Sequence, residues 1–491
     1  MSSTEQPPEP QDPNVSRRRF LTHAGVALGA VPIIGLTRVE DAFATPPPTV
    51  YDVTSYGAQG DGTADDSNAI QAAIDAANSR GGGTIVFPAG TFRITRALTL
   101  YSKIVFRGAG ARATVIKKSS GGGQYPILKS PGYDPPSGEP TPIHSFSLQN
   151  ISLDGNRAGG PLGNGLQVYA HGFTLMNVSI SACAGRGIWC EFHGVSVDTL
   201  PLEAMLVNVH VYECTAGGIY WNGPIDSKWV HVVAYLCGPP GIENGSTTKG
   251  VHVGPQGNGL RVSNSHVWGL NHAYAWYIEC EGVGLVSCMG EGAEIAQVML
   301  GHLGQVIGGQ YFALRADHQT VGIQIGHLDL PAPAFAVVQT TIIHCELGAL
   351  KFVNDGGLGR YQVSVYQTAG RAVVVAPGSQ MRQNNRLDIQ LSGGAAYGDL
   401  GSLKPLTFQE DVLAVRGIEV RGDVRTGSTT SKLGFFGTPP QARSAAWQVA
   451  NLPDSRRLDA GGDLTQVRAV LATLLRDLQR YGLLSPSAPR P

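Results

Sequence analysis

Aromatic, amide and acidic side chains alternate with apolar ones after a series of glycines in the middle of the chain. After Gly187, the alternation of a β-strand points Ile188 and Cys190 inward. Trp189 and Glu191 therefore face solvent. The same reasoning exposes Gln167, Tyr169, Tyr220, Asn222, His252, Tyr277 and Glu279. Rings interleaved with carboxylates and amides suit binding to sugars, although such rings also cover subunit interfaces or pack beneath loops.

Carboxylates in two places have the spacing expected for cleavage of a glycosidic bond. That reaction usually needs two carboxyl groups, roughly 5 Å apart for retention or about 6.5–9.5 Å apart for inversion. Glu191 and Asp226 are expected within that range, one as general acid and the other as nucleophile or base. The second group is Glu279, Glu281 and His252. Glu191 and Glu279 lie about three strands apart, roughly 14 Å, so they do not form one pair.

Two repeating columns position these side chains. A small polar residue followed by an apolar-x-apolar pattern recurs at Asn150, Asn177, Asn208 and Asn264. Glycine followed by a similar pattern recurs at Gly165, Gly187, Gly218, Gly250 and Gly322. Intervals of about 22 to 33 residues are typical of one solenoid coil with a variable loop, and Asn at turns can hydrogen-bond along such a stack. The columns predict an all-β solenoid of parallel strands. The alternative is a sandwich of antiparallel hairpins, but Asn-Gly hairpin turns are scarce.

Residues 51–94 differ from the repeat, because a strand, a Gly/Asp-rich turn, a short helix and a β-hairpin follow in succession. The helix carries an apolar stripe suited to covering one end of the core, formed by Ala69, Ile70, Ala73, Ile74 and Ala77. Turn and helix-capping roles are expected for Asp61, Asp65 and Asp66. This segment resembles the N-terminal cap of the pectate-lyase-like superfamily of right-handed, single-stranded parallel β-helices. We place the β-helix domain at residues 45–425.

That superfamily includes polygalacturonases, polysaccharide lyases and phage tailspikes, but the chain departs from its best-known enzymes. Polygalacturonases carry Asn-Thr-Asp, Asp-Asp, Gly-His-Gly and Arg-Ile-Lys motifs in that order. Here His193-Gly194 resembles one of them only faintly, and an Asp-Asp pair occurs only in the cap. Pectate lyases use a Ca²⁺ cluster of carboxylates, which the sequence does not contain. No metal or other cofactor is predicted, and specificity for pectin does not carry over.

The sequence therefore predicts an exported enzyme that degrades an extracellular polysaccharide. Trp189, Tyr220 and Tyr277 would stack on the sugars, with Tyr169 and Asn222 beside them. Glycoside hydrolysis is preferred over β-elimination because carboxylates and aromatic rings dominate the expected groove, whereas Lys and Arg are sparse there. A polysaccharide lyase with His252 or a tyrosine as base is the first alternative. A non-catalytic, tailspike-like carbohydrate-binding or structural protein is the second.

Residues 1–44 have the pattern of an export signal. Ser16-Arg17-Arg18-Arg19-Phe20-Leu21 matches the twin-arginine motif, and Ala42-Phe43-Ala44 is a small-x-small cleavage site. The apolar run between them is too short to span a bilayer. We expect the mature chain to begin at Thr45, to be exported in the folded state to the periplasm or the medium, and not to be anchored in a membrane.

Composition agrees with an exported solenoid. Charged residues are 15% of the chain and the net charge is −1, so bulk charge does not attract a nucleic acid.

The column residues Asn177, Asn208 and His231 are each followed six positions later by a cysteine, namely Cys183, Cys214 and Cys237. These three should stack roughly 5 Å apart. Folding before export, in a reducing cytosol, favours buried thiols over disulfides, and no zinc-ligand spacing is present.

Residues 426–491 form a linker and a C-terminal helix that begins near Asp463. A heptad seam runs along that helix through Leu464, Val467, Leu471, Leu474, Leu478 and Tyr481. The seam either joins chains in a parallel coiled coil or packs on the solenoid's own end. The KLGFFG segment at 432–437, a Pro pair and the heptad helix together resemble the C-terminal module of phage tail proteins. That resemblance implies a homotrimer.

Overall fold

The computed structural model describes residues 49–398 together with 432–433 and 441–442. The first range excludes 122, 134–140, 161, 194–201, 240–246, 315–319, 331–334, 355–357, 368–369, 380–385 and 394–395. The predicted export signal and C-terminal heptad helix lie outside the described residues. The export route, the trimer and the domain boundaries therefore stay predictions. No helix within the described part is long and apolar enough to cross a membrane.

The regular elements are mostly short strands. One α-helix, α1, spans Ser67–Ser79, and 3₁₀ turns span Val53–Tyr56 and Arg157–Gly159. The strands up to the middle of the chain are β1 Val50–Asp52, β2 Asp61–Asp65, β3 Gly83–Phe87, β4 Gly90–Ile94, β5 Leu98–Thr99, β6 Ile104–Gly108, β7 Thr114–Lys118, β8 Leu128–Lys129, β9 Ile143–His144, β10 Ser147–Asp154, β11 Leu166–His171, β12 Thr174–Ser181, β13 Ile188–Glu191, β14 Met205–Tyr212, β15 Ile219–Asn222 and β16 Lys228–Tyr235. The later strands are β17 Lys249–Val253, β18 Arg261–Ser263, β19 His266–Trp268, β20 Tyr274–Ile278, β21 Val283–Val286, β22 Met289–Glu291, β23 Ala296–Leu300, β24 Gly304–Phe312, β25 Val321–Ile325, β26 Phe335–Ile343, β27 Gly348–Phe352, β28 Leu358–Gln367, β29 Arg371–Val375, β30 Arg386–Gly393, β31 Ala396–Gly398, β32 Lys432–Leu433 and β33 Gln441–Ala442.

These strands build a parallel β-helix, as predicted. A smaller sheet runs from β5 through β8, β11, β13, β15, β17, β20, β23, β25, β27 and β29 to β31. β9 pairs with β11 beside this path. A larger sheet contains the remaining strands of the solenoid, for example β10, β12, β14 and β16 paired in parallel. Among the described pairings only β32 with β33 is antiparallel, which excludes the sandwich of hairpins. Large side chains fill the space between the sheets, including Trp221, Trp229 and Trp276.

The asparagine column bends the strands of the larger sheet. Asn150, Asn177 and Asn208 adopt left-handed backbone conformations with φ of 55°, 54° and 53°. Asparagine tolerates this conformation better than most residues with a side chain. The amide of Asn177 donates to Asn150 Oδ1 at 2.9 Å, and the amide of Asn208 donates to Asn177 Oδ1 at 2.9 Å. The predicted hydrogen bonding along the stack is therefore confirmed.

Two substitutions at Asn208 separate the stability contributed by its side-chain hydrogen bonds from that contributed by its left-handed backbone. We expect Asn208→Gly to remove the side-chain hydrogen bonds while keeping the left-handed backbone, and Asn208→Ala to lose both. The free energy of unfolding should fall by about 1 kcal/mol for the glycine variant and by about 2–3 kcal/mol for the alanine variant. Chemical denaturation measures both values. Equal losses would contradict a backbone contribution at this position.

The glycine column lies where the two sheets approach each other. A Cβ atom at Gly187 would lie 2.2 Å from Val211 Cγ1, and one at Gly165 would lie 2.4 Å from Ile180 Cγ2. The predicted cysteine column fills the adjacent space, because a Cβ at Gly187 would lie 3.2 Å from Cys214 Sγ. All seven cysteines are buried and none forms a disulfide, as expected for thiols that act as small apolar side chains.

The cap is confirmed with one correction. Helix α1 buries Ile70, Ala73, Ile74 and Ala77 against the first strands of the solenoid. Asp61 Oδ1 accepts from the backbone N–H groups of residues 63 and 64, as expected for a turn, and Asp65 Oδ1 accepts from the Ser67 backbone at 3.1 Å. Asp66 occupies the N-cap position but makes no capping hydrogen bond. Its carboxylate instead accepts from the backbone N–H groups of residues 59 and 60, and so fixes the preceding loop.

Candidate functional site

The outward side chains of the smaller sheet form a row across neighbouring coils. In register, Trp189 pairs with Gln167 on one side and Tyr220 on the other. His252 follows Tyr220, and Tyr277 follows His252. We call Trp189, Tyr220, His252 and Tyr277 the aromatic row. The predicted alternation is thus confirmed, and it brings together side chains that are 88 residues apart in sequence.

The second predicted row is also in register, because Tyr169 pairs with Glu191 and Glu191 with Asn222. The expectation that all these side chains face solvent is wrong. Tyr169 and Asn222 are 7% exposed, and Tyr277 is 6% exposed. Tyr133 packs on Tyr169 with ring centroids 6.2 Å apart, so a loop residue covers this part of the sheet.

The rings of the aromatic row hold one another by edge-to-face contacts. The Tyr220 ring lies 5.2 Å from Trp189 and 4.9 Å from His252, measured between centroids. His252 lies 5.1 Å from Tyr277 in a similar arrangement. Edge-to-face packing is a favourable geometry for aromatic pairs, so the row is a preorganised surface.

Two cations lie against the aromatic row. The Arg186 guanidinium is 5.6 Å from the Trp189 ring centroid and 5.2 Å from that of Tyr220. The Lys249 ammonium is 4.4 Å from the Tyr277 ring centroid. The expectation that Lys and Arg are sparse at this site is therefore wrong. Alternation counted from the glycines missed both residues, because Arg186 immediately precedes Gly187 and Lys249 precedes Gly250.

The two carboxylates predicted to act together, Glu191 and Asp226, contact different groups. Glu191 Oε2 accepts a hydrogen bond from the Tyr133 hydroxyl. Asp226 is exposed and has a left-handed backbone with φ of 54°, in the turn that leads to the larger sheet. Its backbone N–H donates to the carbonyl of residue 258 at 2.8 Å. The contacts of Glu191 and Asp226 are thus with different groups, and a shared catalytic role stays a prediction.

In the second carboxylate group, a histidine and a glutamate meet directly. His252 Nε2 lies 3.2 Å from Glu279 Oε2, and these side chains are 12% and 19% exposed. Glu281 is directed elsewhere, with Oε1 3.2 Å from His302 Nδ1. Of the second predicted group, therefore, the structure brings together His252 and Glu279.

Several buried polar atoms of this site lack a hydrogen bond. Within the described residues, Arg186 Nη1, Trp189 Nε1 and both ring nitrogens of His252 have no hydrogen-bond partner of good geometry. Buried polar atoms in native proteins are nearly always satisfied, because an unmade hydrogen bond costs about 1–3 kcal/mol. Three neighbouring side chains with unsatisfied atoms therefore indicate a site for a polar ligand.

Burial also sets the protonation states of the aromatic row. Burial lowers the pKa of His252, although Glu279 opposes the shift, so the imidazole is neutral at pH 7. Burial, followed by the charges of Glu191 and Glu279, raises the pKa of Tyr220 to about 12. The site therefore offers a neutral imidazole as a proton acceptor next to a protonated hydroxyl as a donor. Arg186 and Lys249 supply positive charge beside them.

Comparison with known proteins matches part of the chain to a protein family. Residues 50–191 match the family model described as rhamnogalacturonase A/epimerase, pectate lyase-like. The chain therefore carries a pectate lyase-like domain. The matched segment of this domain contains Arg186, Trp189 and Glu191 but ends before Tyr220, so the rest of the aromatic row lies outside it.

Three relatives illustrate the range of similar proteins. Mannuronan C5-epimerase AlgE6 of Azotobacter vinelandii is 44% identical over 117 residues, which are 22% of this chain and 13% of that protein. Alginate lyase 7 of the same organism is 39% identical over 116 residues, again 22% of this chain and 13% of that protein. The preneck appendage protein of Bacillus phage PZA is 32% identical over 184 residues, 36% of this chain and 19% of that protein. The matches thus span less than a fifth of each relative.

Among solved structures, the A-module of the AlgE6 epimerase matches with a TM-score of 0.48 at 19% identity. The alignment covers 70% of this chain and 98% of that module.

Proposed function

We propose that this protein acts on an anionic, uronate-containing polysaccharide by removing the proton next to the sugar carboxylate. The observation that carries the proposal is the Arg186 guanidinium, whose buried Nη1 has no hydrogen-bond partner, beside the neutral His252 and the protonated Tyr220. The names of two relatives denote epimerisation at C5 and lyase action on alginate, and both reactions are of this class.

Each group has a defined part in this reaction. Arg186 and Lys249 would bind the sugar carboxylate and stabilise the negative charge that develops on it when C5 loses its proton. His252 would accept that proton at a ring nitrogen, with Glu279 orienting the imidazole and stabilising the imidazolium.

The electron pair left at C5 then has two possible fates. If the bond from C4 to the glycosidic oxygen breaks, the Tyr220 hydroxyl protonates the leaving oxygen and the product is an unsaturated uronide. If that bond stays intact, Tyr220 returns a proton to the opposite face of C5 and the product is the epimer. A raised pKa keeps the Tyr220 hydroxyl protonated for either role.

Reactions in heavy water test this proposal. The protein is incubated with polyuronates in D₂O and the products are followed by NMR and near-ultraviolet absorbance. Elimination would give unsaturated, absorbing ends, and epimerisation would give deuterium at C5. New reducing ends without either signal would instead support the predicted hydrolase with Glu191 and Asp226.

A matched pair of arginine variants assigns the reaction to this site. Arg186→Gln should lower kcat/KM at least about 10²-fold, a typical loss when one charge-stabilising donor is removed. Arg107→Gln changes an exposed arginine on the larger sheet and should leave the rate unchanged. Equal rates for both variants and the unmodified protein would contradict the assignment.

A non-catalytic role is the second candidate, because the phage preneck appendage protein matches the longest stretch of the three relatives. A tail-like protein would bind the polymer without changing it. Retention of polyuronate on the immobilised protein, with neither bond cleavage nor deuterium incorporation, would support this role.

A further inference from the structure

A polar cavity lies on the larger sheet, whereas the aromatic row lies on the smaller one. Its volume is about 370 Å³, within the usual range for ligand sites. Five outward polar side chains of β26, β28 and β30 line it: Gln339, Thr341, Gln362, Ser364 and Gln390. We call this cavity the amide groove. The described residues that line the groove include no charged side chain.

A change in the course of the strands creates the groove. The left-handed residues that bend the earlier strands continue through Asn264 and Ser287, whereas β26 and β28 run without interruption for 9 and 10 residues. At the boundary, Gly308 and Gly309 have φ of 67° and 77°, and the register with β26 slips there. The Thr340 hydroxyl lies 2.9 Å from the carbonyl oxygen of Gly308 and holds this bulge. Both glycines of this bulge line the cavity, so the bulge forms one side of the groove.

The polar side chains of the groove are arranged in two ladders. Gln339 pairs in register with Gln362, while Thr341 pairs with Ser364 and Ser364 with Gln390. Neighbouring strands are about 4.8 Å apart, so equivalent groups repeat at that spacing. One hexopyranose unit of a linear glycan has a comparable length. A glycan lying across the strands would therefore meet one polar side chain per sugar. The two amides of the first ladder are followed on β30 by the carboxylate of Asp388, and the two hydroxyls of the second ladder are followed by the amide of Gln390.

These groups are free to bind a ligand. Gln339 and Gln362 are exposed, and within the described residues their amides make no hydrogen bond to the protein. An amide offers two donors and a carbonyl acceptor, and a hydroxyl offers both functions. Sugar hydroxyls need this combination of donors and acceptors without a counter-charge.

We propose that the amide groove is a second carbohydrate-binding site, which takes a neutral polysaccharide. It differs in ligand class from the aromatic row, where Arg186 and Lys249 favour an anionic polymer. The groove would hold the protein on an uncharged polymer while the aromatic row acts on a different one. The inference does not depend on the chemistry proposed for the aromatic row.

Titration calorimetry on the full chain tests the proposal, with neutral gluco-, manno-, galacto- and xylo-hexasaccharides as ligands. At least one should bind, and Gln339→Ala combined with Gln362→Ala should weaken it at least about tenfold through the loss of two or more hydrogen bonds. Gln305→Ala is the matched control, because Gln305 is an exposed outward residue of β24 that does not line the groove. It should bind as the unmodified protein does.

A second variant tests the site by occlusion. Ser364→Trp would fill the groove from an exposed position and should also abolish binding of the neutral hexasaccharide, while the rate on polyuronates stays unchanged. Circular dichroism confirms that each variant is folded. The proposal is overturned if no neutral hexasaccharide binds at millimolar concentration, or if the double variant or the Trp variant binds as tightly as the unmodified protein. Self-association that is lost in the double variant, without any glycan binding, would identify the groove as an interface between copies instead.

Discussion

We expect His252→Gln to lower kcat/KM on a polyuronate by about 10²–10⁴-fold, the range for loss of a general base. Glutamine keeps much of the size and polarity of histidine but cannot accept a proton at neutral pH. Because the effect is on the proton-transfer step, kcat should fall while binding of the polymer changes little. Stopped assays of absorbance or of deuterium incorporation measure the rate, and calorimetry measures the binding.

The pH profile gives a second readout for His252. Burial lowers the pKa of this imidazole, and the reaction needs its neutral form. The rate should therefore be independent of pH above about 6.5, the ordinary value for histidine, and fall only at lower pH as the ring becomes protonated. His231→Asn serves as the control, because His231 is exposed on the larger sheet and asparagine suits its left-handed backbone. A folded His252→Gln variant with an unchanged rate would remove this residue from the mechanism.

We expect Gly187→Ala to lower the free energy of unfolding, because the glycine column leaves no room for an added methyl group. The added Cβ would lie 2.2 Å from Val211 Cγ1 and 3.1 Å from the carbonyl oxygen of Gly218. Val211 lies in β14, which is paired with a strand on each side, and the second contact is with backbone, so relief of the clash requires packed groups to shift. Overpacking of this kind typically costs about 1–3 kcal/mol.

Gly123→Ala is the matched control for this substitution. No atom lies within 4 Å of a Cβ at Gly123, and its backbone does not need a positive φ. The free energy of unfolding of the Gly123→Ala variant should therefore stay within about 0.5 kcal/mol of that of the unmodified protein. Denaturant titration of both variants measures the difference. If Gly187→Ala were as stable as the control, close approach of the two sheets would not explain the glycine column.

The periodic features of this protein could be predicted from the sequence. Recurring Asn and Gly residues mark one position per coil, and strand alternation assigns the residues between them to the inside or the outside. Trp189, Tyr220, His252 and Tyr277 were placed in one row on this basis, and the register confirms it. The cap was equally recognisable, because a single amphipathic helix differs from the repeat around it.

The aperiodic features required the tertiary structure. Arg186 and Lys249 precede the glycines from which alternation is counted, so no repeat pointed to their contacts with the aromatic row. Tyr133 belongs to a preceding loop, and only the fold brings its hydroxyl to Glu191, which is 58 residues later. The bulge at Gly308 likewise follows from how one coil packs on the next.

The sequence by itself thus determined the stacking of coils and which side chains point outward. Both depend on local backbone geometry that repeats in every coil. The tertiary structure decided which of those side chains are covered, which charges accompany them and where the surface is concave. These properties depend on loops of unequal length and on contacts between distant segments, and neither leaves a period in the sequence.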